Sequence, residues 1–177
     1  MPPGNSGPDN GRKGRGSAAT EHWAKTANEA ARIARKLKKD GHAPPFGDPT
    51  SGVMLVVESP VGPRVVDALR RSLDSVGLDA YAVPSSTGLL REMLLVAEPS
   101  ILVAVGPDAT REIDSIQYPL ARRQFSDATV GALFTWTAGT AGLSLPPLAP
   151  ALDDEAAKKR FWRAFLALRE PAMAGGA

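Results

Sequence analysis

Val53-Met54-Leu55-Val56-Val57-Glu58-Ser59-Pro60 and Ile101-Leu102-Val103-Ala104-Val105-Gly106-Pro107-Asp108 decide the fold. Each is an unbroken run of five apolar residues closed abruptly by a turn-forming Pro or Gly. A strand wetted on one face alternates polar with apolar; these runs do not, so both faces are expected to be covered, as in a parallel sheet flanked by helices. Between them, Val65, Val66, Leu69, Leu73 and Val76 recur at helical spacing and Gly77 ends the turn. Leu78–Val83 follows as a strand stopped by Pro84, and Leu89, Leu90, Met93, Leu94 and Val96 mark a second helix before Pro99.

Beyond Gly106-Pro107 the spacing predicts a short helix to about Ile113, with Asp108 as its cap. Residues 115–131 are irregular. Ala132–Trp136 reads as a fourth strand, and Gly139 to Ala151 as a long Gly/Pro loop. Asp153 or Asp154 caps a closing helix lined by Ala157, Phe161, Phe165 and Leu168. Strands alternating with helices give the expected fold class: α/β, a three-layer α/β/α domain over residues 53–170 with a mainly parallel four-stranded sheet. Residues 171–177 form a loose tail.

Upstream, residues 1–20 are Gly, Pro, Asn and Ser around the cluster Arg12-Lys13-Gly14-Arg15. With almost no apolar surface to offset ordering entropy, they read as a disordered basic tail. Residues 21–40 read as an isolated amphipathic basic helix, capped at Thr20 and stopped by Gly41. Its apolar stripe of Trp23, Ala27, Ala30, Ala34 and Leu37 suits docking on a partner protein. Arg32, Arg35, Lys36, Lys38 and Lys39 crowd the last two turns, where cations also complement the helix dipole. Residues 41–52, with three Pro and three Gly, read as a linker.

The chain has 177 residues, 43% hydrophobic and 23% charged, ordinary values for a globular protein. No apolar run approaches the roughly 20 residues of a membrane-spanning helix, so no membrane association is expected. The tail lacks the apolar core of a secretory signal, and a cytoplasmic location is expected. Without Cys, thiolate metal sites and thiol nucleophiles are ruled out; the two His, His22 and His42, both precede the body. No metal site is expected, because two separated His and no Cys leave only carboxylates, and no nucleotide cofactor, since neither a G-x-G-x-x-G nor a G-x-x-x-x-G-K-[ST] turn is present. The net charge of +2 conceals nine basic against four acidic residues in 1–41, leaving the body at −3. Arg12, Lys13, Arg15 and the 32–39 cluster are therefore candidate nucleic-acid contacts, or merely a solvated surface.

Ligands of parallel α/β sheets bind beyond the carboxyl ends of the strands. Glu58, closing the first strand, is the best-placed carboxylate to position a water. Gly106, Asp108, Trp136 and Gly139 are the other ligand-edge candidates: the Gly106 turn offers backbone N–H groups to an anion, and Gly139 lets backbone approach closely.

Glu58-Ser59-Pro60-Val61-Gly62, Val105-Gly106-Pro107-Asp108-Ala109 and the helix Lys158–Trp162, in that order over residues 53–169, resemble the uracil-DNA glycosylase superfamily. Its thermostable bacterial branch carries G-E-x-P-G and L-G-x-x-A turns, an H-P-S loop and a K-R-x-x-W-like helix. The resemblance implies a glycosylase-like fold, but the chain departs where the chemistry lies. Leu145-Pro146-Pro147-Leu148 stands where the loop histidine belongs, no Asn follows Asn28, and cluster-binding cysteines are absent. Flipping a base, reading its edge and stabilising the departing anion would fall to Glu58 alone.

The chain is also similar in layout to the psi subunit of the bacterial DNA polymerase III clamp loader. Psi resembles the glycosylase fold without its active site, docks on the clamp-loader collar through an N-terminal segment, and binds the chi subunit through its body. The resemblance implies a non-catalytic adaptor in DNA replication or repair, with replication or repair proteins as partners. Two alternatives stand beside it: a divergent glycosylase using Glu58 to position water, and a non-enzymatic nucleic-acid-binding protein using the basic arm.

Overall fold

A computed structural model describes residues 13–169. The expected tail residues 1–12, Arg12 among them, and the tail 171–177 lie outside the described residues. Five helices, α1 (Lys13–Lys39), α2 (Pro63–Val76), α3 (Leu90–Ala97), α4 (Pro107–Ser115) and α5 (Glu155–Phe165), flank one six-stranded mixed sheet. Its strands are β1 (Phe46–Gly47), β2 (Val53–Val57), β3 (Tyr81–Pro84), β4 (Ile101–Val105), β5 (Phe134–Thr137) and β6 (Thr140–Leu145), in the order β1-β3-β2-β4-β6-β5.

Both apolar runs form central strands, buried along their whole length. β2 pairs in parallel with β3 on one side and β4 on the other, with Val53 opposite Ile101 and Val57 opposite Val105. Because side chains alternate across a strand, Val53, Leu55 and Val57 join Val65, Leu69 and Leu73 of α2 and Phe161 and Phe165 of α5. Met54 and Val56 face the opposite way, into a cluster with Leu90, Met93 and Leu94 of α3, Ile113 of α4, Phe125 and Trp136. Gly77 closes α2 at φ 67°, a left-handed conformation that costs glycine little, and Asp154 caps α5 by accepting from the Ala156 amide at 3.1 Å.

The structure corrects several expectations. The expected fourth strand, Ala132–Trp136, appears as β5, an antiparallel edge. The strand that pairs in parallel with β4 is instead Thr140–Leu145, inside the expected loop. Its small residues carry no apolar run, yet they are required: a Cβ on Gly142 would overlap the Phe134 ring on β5. The expected linker contributes β1, antiparallel to β3, with Phe46 opposite Ala82.

The arm helix is not isolated. α1 starts at Lys13, so Thr20 lies inside it, and Ala30, Ile33 and Leu37 are buried beside Leu90, Met93 and Leu94 of α3. The buried stripe is Thr26, Ala30, Ile33 and Leu37 rather than the expected set: Ala27 is exposed, Ala34 half-buried and Trp23 59% exposed.

Candidate functional site

β2 and β4 are neighbours, but the chain leaves β2 for β3 on one side and reaches β4 on the other. Their carboxyl ends therefore form the switch point where open α/β sheets hold ligands. Glu58 and Gly106 meet there. The Glu58 amide donates to the Val105 carbonyl at 3.1 Å, extending the ladder by one rung, and the Gly106 amide donates to the Leu145 carbonyl of β6 at 3.1 Å.

The Glu58 carboxylate turns back onto the first turn of α4. Its Oε2 accepts the Asp108 amide at 3.0 Å. Gly106 stands at φ 95°, ψ 160°, and a Cβ on it would overlap that carboxylate. The reason is geometric: only a residue without a side chain can turn the chain from β4 into α4 beneath a carboxylate packed on its Cα. Asp108 is thus not the cap foreseen from sequence. Gly106 holds the cap position without a side-chain bond, while Asp108 supplies its N–H to Glu58 and its carboxylate to Arg111.

Burial pushes the Glu58 carboxyl above its ordinary range, and the nearby Arg111 guanidinium offsets part of that rise. Around this centre the Ser59 and Ser86 hydroxyls hydrogen-bond at 2.7 Å, and the buried Thr110 and Ser144 hydroxyls lie 3.3 Å apart. A cavity of about 480 Å³ opens beside Thr110 and Ser144, walled by Arg111, Phe125 and Pro146-Pro147. The switch point thus holds a carboxylate, an arginine and hydroxyls, with the anion-binding N–H of α4 already occupied by the chain itself.

Of the ligand-edge residues, Gly106 and Asp108 meet Glu58; Trp136 and Gly139 do not. Because β5 runs antiparallel to β6, with Thr137 opposite Thr140, they lie at the amino ends of the parallel strands, across the sheet from Glu58. Trp136 is buried, stacked on Tyr118 with ring centres 5.0 Å apart, and its carbonyl accepts the Arg122 amide at 2.7 Å. The cavity of about 440 Å³ beside Trp136 is lined by Asp114, Gln117 and Arg122, among others, and Glu58 does not reach it.

The arm candidates separate as well. Trp23 is exposed in the N-terminal half of α1, whereas Ala30 and Leu37 are consumed by the core. Arg32, Arg35, Lys36, Lys38 and Lys39 are all exposed, and no ion pair among the described residues engages them. Lys13 and Arg15 fall in the first turn of α1. Among the described residues no cluster of His, Asp and Glu could hold a metal ion, and no helix is long and apolar enough to cross a membrane. Arg111 was missed by sequence reading, although a cation one turn into the helix after Gly-Pro-Asp is placed to reach the preceding strand end.

Compared with known proteins, the chain matches no family model and no curated sequence.

Proposed function

We propose that this chain is a non-catalytic, glycosylase-fold adaptor in DNA replication or repair, psi-like in layout. The observation that carries the reading is the engagement of Glu58. A carboxylate that positions water for attack at a sugar carbon must keep an oxygen aimed at an open site. Here Oε2 is held by the Asp108 amide, the group is packed on Gly106, and Glu58 does not line the neighbouring cavity walled by Arg111 and Phe125. No histidine, lysine or asparagine sits at Glu58–Pro63 or Gly106–Asp108 to share the work. What remains is an α/β body with a helix packed against it whose exposed face offers Trp23 and a row of cations.

The test is a strand-nicking assay on DNA containing uracil or hypoxanthine, with the purified full chain. The adaptor reading expects no base release above the buffer control. Base release that disappears in Glu58→Gln overturns it in favour of a divergent glycosylase.

A second reading, nucleic-acid binding by α1, is favoured by five exposed cations, Arg32, Arg35, Lys36, Lys38 and Lys39, that make no ion pair among the described residues. It expects affinity for DNA that falls steeply with salt, because each neutralised phosphate releases counterions. Salt-independent binding, or none, removes it.

A further inference from the structure

A groove of about 340 Å³ separates α2 from α5, on the face of the sheet that holds Leu55 and Val57. Leu148, Leu152 and Phe161 line it, and Trp162 stands at its wall 37% exposed. Trp162 is not a loose surface aromatic. Its ring stacks on Phe165 at 5.8 Å with 15° between planes, and Phe165 is fully buried and stacks in turn on Phe161. The core therefore fixes the orientation of the ring, so little rotamer entropy is lost when something packs against it. Buried aromatics flanked by arginine are the residues that dominate protein interfaces.

The groove is bordered by charge of mostly one sign: Arg64, Arg71 and Lys158, with Asp67 as the only carboxylate among the described lining residues. Arg64 pairs with Asp153 at 2.9 Å and Arg71 with Asp67 at 3.2 Å, both highly exposed. Such exposed pairs are screened by water and contribute little, so an incoming carboxylate can exchange for the internal one. Lys158 makes no ion pair among the described residues. Arg64 and Arg71 lie two turns apart on α2, roughly 10 Å along its axis. Side chains of an extended peptide alternate between its two faces, so those at i, i+2 and i+4 share one side over roughly 13 Å. Carboxylates at i and i+4 can thus address both arginines, whose flexible side chains cover the difference, while the side chain at i+2 enters the groove.

We infer that the α2–α5 groove docks an acidic segment of a partner protein, carrying one aromatic or large aliphatic side chain that packs against Trp162 and Phe161. The site gives the adaptor reading a partner chemistry, yet it rests on the groove alone and not on the silence of Glu58.

The test selects short random displayed peptides against the full chain and measures the enriched peptide, fluorescein-labelled, by anisotropy. Enriched sequences are expected to combine Asp or Glu with Phe, Trp, Leu or Ile. Affinity is expected to drop at least about tenfold in Arg64→Glu/Arg71→Glu, and to weaken with salt. Trp162→Ala should lose binding too; should that variant fold poorly, the exposed arginine pair carries the test by itself. Basic or neutral winners, binding indifferent to these substitutions, or no enrichment over the Trp162→Ala chain each overturn the proposal. Displacement of the peptide by a short oligonucleotide, with the oligonucleotide bound equally by Trp162→Ala, would reassign the cations to nucleic acid. A chain that releases a base from DNA but still selects acidic peptides defeats the adaptor reading and leaves the groove standing.

Discussion

Gly106→Ala is expected to damage the switch point in a way that Glu58 reports. At φ 95°, ψ 160° an alanine sits in a region reserved for glycine, a strain of about 1–3 kcal/mol. Its Cβ also takes the space of the Glu58 carboxylate, so Glu58 must rotate away and abandon the Asp108 amide. A charge-assisted hydrogen bond of this kind contributes about 1.5–3 kcal/mol, and the lower half of that range applies because Glu58 is partly solvated. The two effects together cost roughly 3–4 kcal/mol, enough to measure and too little to unfold a typical domain. Urea unfolding followed by far-UV circular dichroism gives the value, and a cycle with Glu58→Ala gives its origin. With the carboxylate already removed, Gly106→Ala should cost only the backbone strain, so the double variant is more stable than the sum of the singles by about 1.5 kcal/mol. Additivity within about 0.5 kcal/mol would mean that Glu58 is not seated on Gly106.

Leu37→Ala should destabilise the whole chain by about 2–5 kcal/mol, because Leu37 is fully buried against α3, while Trp23→Ala should stay within about 0.5 kcal/mol. Equal, negligible effects in thermal melts would return α1 to an independent arm. Glu58 has a folded-state pKa above its ordinary 4.5, so the folded chain holds an extra proton in that window and stability falls as pH rises through it. Glu58→Gln cannot titrate, and the stability difference should move in the variant's favour as pH rises from 4.5; a flat or opposite trend refutes the burial. Tyr81, buried in the sheet, has its phenol pushed up to about 12. Absorbance titration should leave it protonated until then, with stability falling above pH 10 as the unfolded chain ionises first; a tyrosine count fully titrated by pH 11 refutes it.

Much of this was legible before any coordinates. Unbroken apolar runs of five residues closed by Gly or Pro are too short for buried helices and read as strands covered on both faces, and 53–57 and 101–105 are that. Val65, Leu69 and Leu73 define the buried side of α2 because their spacing leaves no other choice. β6 has no apolar run in Thr140, Ala141 and Gly142 to mark it, and the fit of Gly142 against the Phe134 ring on the neighbouring strand leaves no periodic trace in the sequence. The arm stripe was misplaced by about one residue because Trp23 dominates any apolar tally, whereas the body selects the line through Thr26 and Ile33. Glu58 and Gly106 were each singled out, but their contact needs β2 beside β4, which strand order in the sequence does not specify. Trp136 was assigned to the wrong edge for a related reason: direction is a property of pairing, not of composition.

The late arrival of β6 has a consequence for biosynthesis. β4 is internal in the finished sheet, yet its far side finds a neighbour only after residue 145 has been made, and α5, which seals the Leu55 face, comes later still. A nascent chain halted after α4 carries an open row of backbone donors and acceptors on its most hydrophobic strand, a template for unwanted association. Productive folding thus waits on β6 and α5, and termination before them leaves β4 with an unpaired edge.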